Sequence, residues 1–208
     1  MKTNGKTLYV LLSANTGLYG SILRKTYELF KQYVFKEDGD ILVIGKLGRG
    51  LLEKEHLRKK IVYEDIEDSN KNDETLKNLV TLIIQYERVI VFHGKFQTTV
   101  TQLPTATSVS GDPLPGEAKL PEIKFLFEPS LEEIMQFFER EIFTSYFEQT
   151  IHESQLAKQA SRMISLDNSL ENIKRHLKKL AIDEQRLKHI DFNKRQLETV
   201  SSIKLWKR

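Results

Sequence analysis

The sequence of 208 residues contains no cysteine. That absence removes thiol catalysis, disulfides and thiolate metal sites together. Proline is scarce, and neither proline nor glycine occurs after Pro129, so no helix breaker interrupts the rest of the chain. No apolar run approaches the roughly 18 to 20 residues that would span a membrane. The opening MKTNGKTLYVLL lacks a long apolar core followed by a small-residue cleavage site. Neither a signal nor a transit peptide is therefore expected, and the chain reads as soluble and intracellular. An excess of one charge is missing too. With 32 basic and 29 acidic side chains the formal balance is +3, which makes no bulk case for a nucleic-acid-binding protein.

What is present is unevenly placed. From Glu171 to Arg208 eleven basic residues stand against five acidic ones, a local +6, while the preceding 170 residues carry 21 against 24, a net −3. The first part reads as alternating strand and helix. Leu8 to Leu12 is a continuous apolar run, as in a strand buried on both faces. Leu23, Tyr27, Phe30 and Val34 fall at helical spacing within a helix from Ser21 to Lys36. Ile41 to Ile44 is a second strand, a short polar helix is expected over Leu51 to Arg58, and Ile61 to Tyr63 is a third strand. Glu74 to Tyr86 is a helix with Leu76, Leu79, Val80 and Ile83 inward, and Val89 to Phe92 a fourth strand. Lys95 to Leu103 is expected to stay extended past the sheet. Residues 104–121 hold four of the five prolines and read as a loop, and Ile123, Phe125 and Phe127 alternate as an edge strand. Parallel strands with crossover helices imply three layers.

Ser130, with Glu133 three residues on, is a capping-box pattern. Ile134, Phe138 and Ile142 then line one helical face. Met163, Leu166, Leu170, Ile173, Leu177 and Leu180 follow at spacings of 3, 4, 3, 4 and 3, and Leu187 continues the series after Glu184. This is a heptad seam. A helix from Ser154 to Ser202 would reach about 70 Å. Six apolar side chains on one stripe, each worth about 1.5–3 kcal/mol if fully buried, demand a cover. The chain offers no second long helix, so the cover is expected from another chain or from a segment absent from this sequence. The fold class is thus α/β: a three-layer, mostly parallel sheet followed by a long C-terminal coiled-coil-type helix. The expected domains are a Rossmann-like globular domain at 1–128, including the loop 104–121, and a helical region at 129–208 forming half of a coiled coil.

Chemistry-bearing patterns are weak. Gly17-x-x-Gly20 and Gly45-x-x-Gly48-x-Gly50 follow strands, yet match neither a dinucleotide fingerprint nor a P-loop. They read as tight turns that need positive φ. His176 and His189 point in different directions on a helix, and His152-Glu153 lacks the second histidine of a zinc helix. Glu64, Asp65, Glu67 and Asp68 read as a solvated loop. No catalytic residue, metal ligand or cofactor site is expected. Lys174, Arg175, Lys178, Lys179 and Arg186 lie mostly off the seam, as a solvated flank or as a helix held in an acidic surround.

Several segments, in order, resemble the gamma subunit of F-type ATP synthases, the central rotor shaft. LYVLLSANTGLYGSI resembles that family's first strand and S-x-x-x-G-L-x-G turn. VFHGKFQTTVTQLPT resembles its strand with a conspicuous Phe, here Phe96. KFLFEPSLEEIM resembles its Tyr-Glu-Pro-Ser segment, here Phe127 to Ser130. IHESQLAKQASRMISLDNSLENI resembles the long helix, with Glu153, Ser154, Arg162, Met163, Asn168 and Asn172 at its landmarks. FNKRQLET resembles the Tyr-Asn-x-x-Arg-Gln segment, one residue shorter. In the family a long N-terminal helix precedes the first strand and forms the other half of the coiled coil; here the chain begins almost at that strand. The usual small, apolar C-terminal end is replaced by Leu205 to Arg208.

The resemblance implies a non-catalytic, cofactor-free shaft that couples rotation to ATP synthesis or hydrolysis at the hexamer of alpha and beta subunits. It implies contacts with the epsilon subunit and the membrane rotor ring at the foot, and none with nucleic acid. It implies that Arg195 and Gln196 meet beta-subunit loops. The complex would sit peripherally on the cytoplasmic face of an energy-transducing membrane, as in bacteria. The alternative that the residues leave open is a basic coiled-coil adaptor for nucleic acid or an acidic partner. A small-molecule enzyme on a doubly wound sheet is a third reading.

Overall fold

The computed structural model describes residues 4–55, 59–65, 73–109 and 130–206. Five strands form one sheet in the order β3-β2-β1-β4-β5. They are β1 (Thr7–Leu12), β2 (Asp40–Ile44), β3 (Ile61–Glu64), β4 (Arg88–Phe96) and β5 (Gln102–Ser108). The first four are mutually parallel, with Val10 beside Leu42 on one flank and Val91 on the other. β5 alone is antiparallel. Helices α1 (Ile22–Val34), α2 (Lys46–Leu52) and α3 (Asp73–Ile83) connect the parallel strands, and α4 (Leu131–Trp206) closes the chain. The expected α/β sheet with a long C-terminal helix is what forms.

Alternation along each strand divides the core in two. Leu8, Val10, Leu12, Leu42, Ile44, Val89 and Val91 face Leu79, Val80 and Ile83 of α3, with Phe143, Phe147 and Ile151 of α4 on the same side. Tyr9, Leu11, Ile41, Val43, Ile90 and Phe92 face Tyr27, Phe30 and Val34 of α1. The continuous apolar runs of β1 and β2 are thus explained by helices on both faces.

Three expectations need correction. The short helix expected over 51–58 lies earlier, at Lys46–Leu52, followed by a 3₁₀ turn at Glu53–Glu55. The side-chain oxygen of Asn15 accepts the Lys46 N–H at 2.9 Å, so a residue from another loop satisfies a helix donor that local sequence leaves open. Secondly, the chain does not run extended to Leu103 and then loop from Pro104. It turns at 97–101 and returns as β5, in which Pro104 lies opposite Gly94. Among the described residues β5 is the outermost strand, and an outermost strand tolerates proline because one side of its backbone needs no ladder partner. The proposed edge strand at 123–128 lies outside the described residues. Thirdly, Phe138 and Ile142 are exposed, and the buried residues of α4 are Phe143, Phe147, Thr150, Ile151, Ser154, Ala157, Lys158 and Ser161.

The cap of α4 forms as expected, with the Glu133 N–H donating to Ser130 Oγ at 3.2 Å. The chain comprises two compact units, residues 1–164 and 165–208. The second is helical through Trp206.

Candidate functional site

Two faces of α4 are candidate sites, one packed on the sheet and one exposed. Within the first unit, Phe143 and Phe147 stack with ring centroids 6.4 Å apart, and Phe147 is fully buried. One to four turns further on the buried residues become small or polar, and they reach the turn between β1 and α1. Lys158 Nζ donates to the Ser13 carbonyl at 3.0 Å, and Ser161 Oγ donates to the Tyr19 carbonyl at 2.8 Å. The Arg162 guanidinium lies 5.7 Å from the Tyr19 ring centroid, a cation–π geometry. The hydroxyl of Ser154 is buried without a hydrogen-bond partner among the described residues. It lines a cavity of about 20 Å³ with Leu12, Ser13, Gly45 and Lys158.

The turn itself explains the glycines noted in the sequence. Gly20 has φ +57° and Gly45 φ +105°, whereas the other three glycines of the two motifs do not take positive φ. A Cβ at Gly20 would meet Ser161 Oγ at 2.7 Å. These glycines therefore serve left-handed backbone and close helix approach. Among the described residues no group of three or more His, Asp or Glu is arranged to hold a metal ion.

His93 is buried near the end of β4. Its Nδ1–H donates to the Gly94 carbonyl at 3.2 Å, and its Nε2 accepts from Thr107 Oγ1 at 2.9 Å. The Thr107 hydroxyl can donate to the neutral ring, the form that burial favours. Burial, the largest influence, lowers its pKa below the ordinary histidine value. The Gly94 carbonyl and the Glu153 carboxylate oppose that shift, and Lys95 reinforces it. Around the start of β2, Tyr9 donates to Glu37 at 2.6 Å and Tyr86 to Asp40 at 2.9 Å. Burial and the neighbouring carboxylate push the Tyr86 hydroxyl up to about 12. Both tyrosines are pins of the fold.

The second face is the seam. Met163, Leu166, Leu170, Ile173, Leu177, Leu180 and Leu187 are all exposed, from 47% at Leu166 to 66% at Leu187. Each lies on one unbroken helix. Arg175 pairs with Glu171 at 3.2 Å beside the stripe, and Glu184, which occupies a position within it, pairs with Lys188 at 2.7 Å. Arg195 and Gln196 lie exposed on the same helix, and Arg195 pairs with Asp191 at 2.9 Å.

Sequence reasoning found the seam but missed Lys158 and Ser161. Their signal was a run of Ser154, Ala157, Lys158 and Ser161 at helical spacing, an inward face marked by small residues instead of large apolar ones.

Comparison with known proteins extends these observations. A family model described as ATP synthase matches residues 1–190. The ATP synthase gamma chain of Hyphomonas neptunium is 24% identical over 215 residues, covering 96% of this chain and 74% of its own length. That of Fuscovulum blasticum is 26% identical over 207 residues, covering 93% and 71%. Among solved structures, a chain of the central stalk and c-ring of the Tetrahymena thermophila mitochondrial ATP synthase is similar with a TM-score of 0.64 at 19% identity, over 79% of this chain and 76% of that one. A chain of the Euglena gracilis mitochondrial ATP synthase in rotational state 3 is similar with a TM-score of 0.67 at 15% identity, over 95% and 72%. At these identities the structural likeness establishes the fold.

Proposed function

The chain belongs to the ATP synthase gamma-chain family, and from that membership we propose that it is the central-stalk subunit of a rotary ATP synthase or ATPase. It couples rotation of a shaft to ATP synthesis or hydrolysis at a hexamer of alpha and beta subunits. The observation that carries this reading is a single 76-residue helix with an exposed heptad seam, joined to a sheet domain. Contiguous apolar surface of that kind marks an interaction site. A helix of another chain, or of a further segment of this protein, covers the seam in the working complex.

The region 1–128 acts as the foot, against the epsilon subunit and the membrane rotor ring. The region 129–208 acts as the shaft. Arg195 and Gln196 bind beta-subunit loops, where charge-assisted hydrogen bonds tie shaft angle to the state of a catalytic site. Lys174, Arg175, Lys178, Lys179 and Arg186 give the helix a basic flank suited to an acidic surround. The reaction itself belongs to the surrounding subunits, and this chain supplies asymmetry. Among the described residues no helix is long and apolar enough to cross a membrane. The complex is peripheral, on the cytoplasmic face of its membrane.

Affinity purification of the tagged chain from its native host tests the proposal. Alpha and beta subunits are expected in stoichiometric amounts. Their absence under low-salt, detergent-solubilised conditions would overturn it.

A further inference from the structure

We infer that Lys158 and Ser161 are positioning residues that form a torsional latch, fixing the rotational setting of α4 against the sheet domain. The inference rests on the shaft reading above and deepens it.

Phe143, Phe147 and Ile151 pack on the sheet through apolar contacts. Such contacts resist separation strongly, but they are non-directional. Hydrogen bonds are directional, and among the described residues Lys158 and Ser161 on the inward face of α4 donate side-chain hydrogen bonds to another element. Both acceptors, the carbonyls of Ser13 and Tyr19, lie in the turn between β1 and α1. The two donors are three residues apart, so they grip the helix on adjacent turns of one face.

The backbone geometry around them is equally specific. A Cβ at Gly20 would meet Ser161 Oγ at 2.7 Å, and a Cβ at Gly94 would meet the Ala157 Cβ at 3.3 Å. The helix is thus seated against two glycines that permit close approach, and the two donors register it there. Lys158 and Ser161 are 7% and 8% exposed, and Met163 follows at 65%. The latch therefore occupies the last embedded turns of the helix. A twisting load arriving along the helix from beyond Met163 meets these turns first.

The test uses the complete complex in sealed vesicles, with ATP hydrolysis and ATP-driven membrane potential measured on the same preparation. Lys158→Met combined with Ser161→Ala removes both donors while preserving approximate side-chain length. The expected result is hydrolysis within about twofold of the parent and a loss of at least about fivefold in potential generated per ATP. Lys158→Arg, with Ser161 intact, retains a donor and is expected to restore most of the ratio. An unchanged ratio in the double variant would overturn the latch. So would a parallel fall of both activities with the amount of assembled complex, which is the signature of a merely structural role. Failure of the parent chain to assemble with alpha and beta subunits would instead overturn the shaft reading, and the latch with it.

Discussion

Two stretches of α4 are both rich in large apolar side chains, and they differ in exposure. Phe143, Phe147 and Ile151 are 8%, 0% and 9% exposed; Ile173, Leu177 and Leu180 are 58%, 60% and 64% exposed. Helical periodicity serves both. Their difference is that a sheet face stands opposite the first. The comparison teaches that a helix stripe records a demand for cover, and that the fold answers this demand only where it has a surface to offer. Stability of the isolated chain should depend on the first stretch and assembly on the second.

The largest effect is expected at Phe147. Phe147→Ala removes a fully buried ring and should destabilise the chain by about 3–5 kcal/mol in denaturant unfolding. A loss below about 1 kcal/mol would break the contrast by showing that the embedded stretch contributes little. Gly20→Ala comes next. It places a Cβ in left-handed backbone and against Ser161, and should cost about 1–3 kcal/mol. Gly17→Ala, with no atom within 4 Å of the added Cβ, serves as the mild control in the same melts.

A pH series sharpens the embedded side further. Burial lowers the pKa of His93 in the folded state, so the unfolded chain binds more protons near pH 6.5 and below. The His93 contribution is therefore fully present above the ordinary histidine pKa and is lost as pH falls through the lowered one. Melting temperatures should decline from pH 8 to pH 5, and His93→Gln should flatten that decline. An equal slope in both proteins would remove His93 from the account.

Leu177→Ser should change the stability of the isolated chain by less than about 0.5 kcal/mol, because the side chain is already in water. The same change should weaken recovery of partner subunits in affinity purification. A large loss of isolated stability would mean that the seam is covered within the chain. The smallest effect is expected at Arg195→Ala, whose exposed pair with Asp191 is worth at most about 1 kcal/mol. Its consequence should appear in the hydrolysis rate of the complex and not in melts of the chain.

Much of this was legible in the residues. The unbroken apolar runs of β1 and β2 announced strands buried on both faces, and Leu79, Val80 and Ile83 announced the inward side of α3. Ser130 announced the start of α4. The hairpin of β4 and β5 was not legible, because Pro104 reads as a breaker until the strand is known to lie at an edge. Nor was the start of α2, which takes a hydrogen-bond partner from Asn15, 31 residues away. On α4, Ile134, Phe138 and Ile142 were as plausible an inward face as Phe143 and Phe147. The latch residues were hidden for the opposite reason, since a lysine and a serine on a helix usually face water.

By itself the sequence determined the strand-and-helix alternation through β4, the heptad seam and the order of the family's landmarks. These are properties of periodicity, which each segment carries locally. Tertiary structure alone decided which face of α4 is buried, and it brought Lys158 to the carbonyl of Ser13 across 145 positions of chain. The reason is physical. A period of 3.6 residues says that a helix has sides, but which side is buried depends on the shape and hydrogen-bonding groups of the surface it meets.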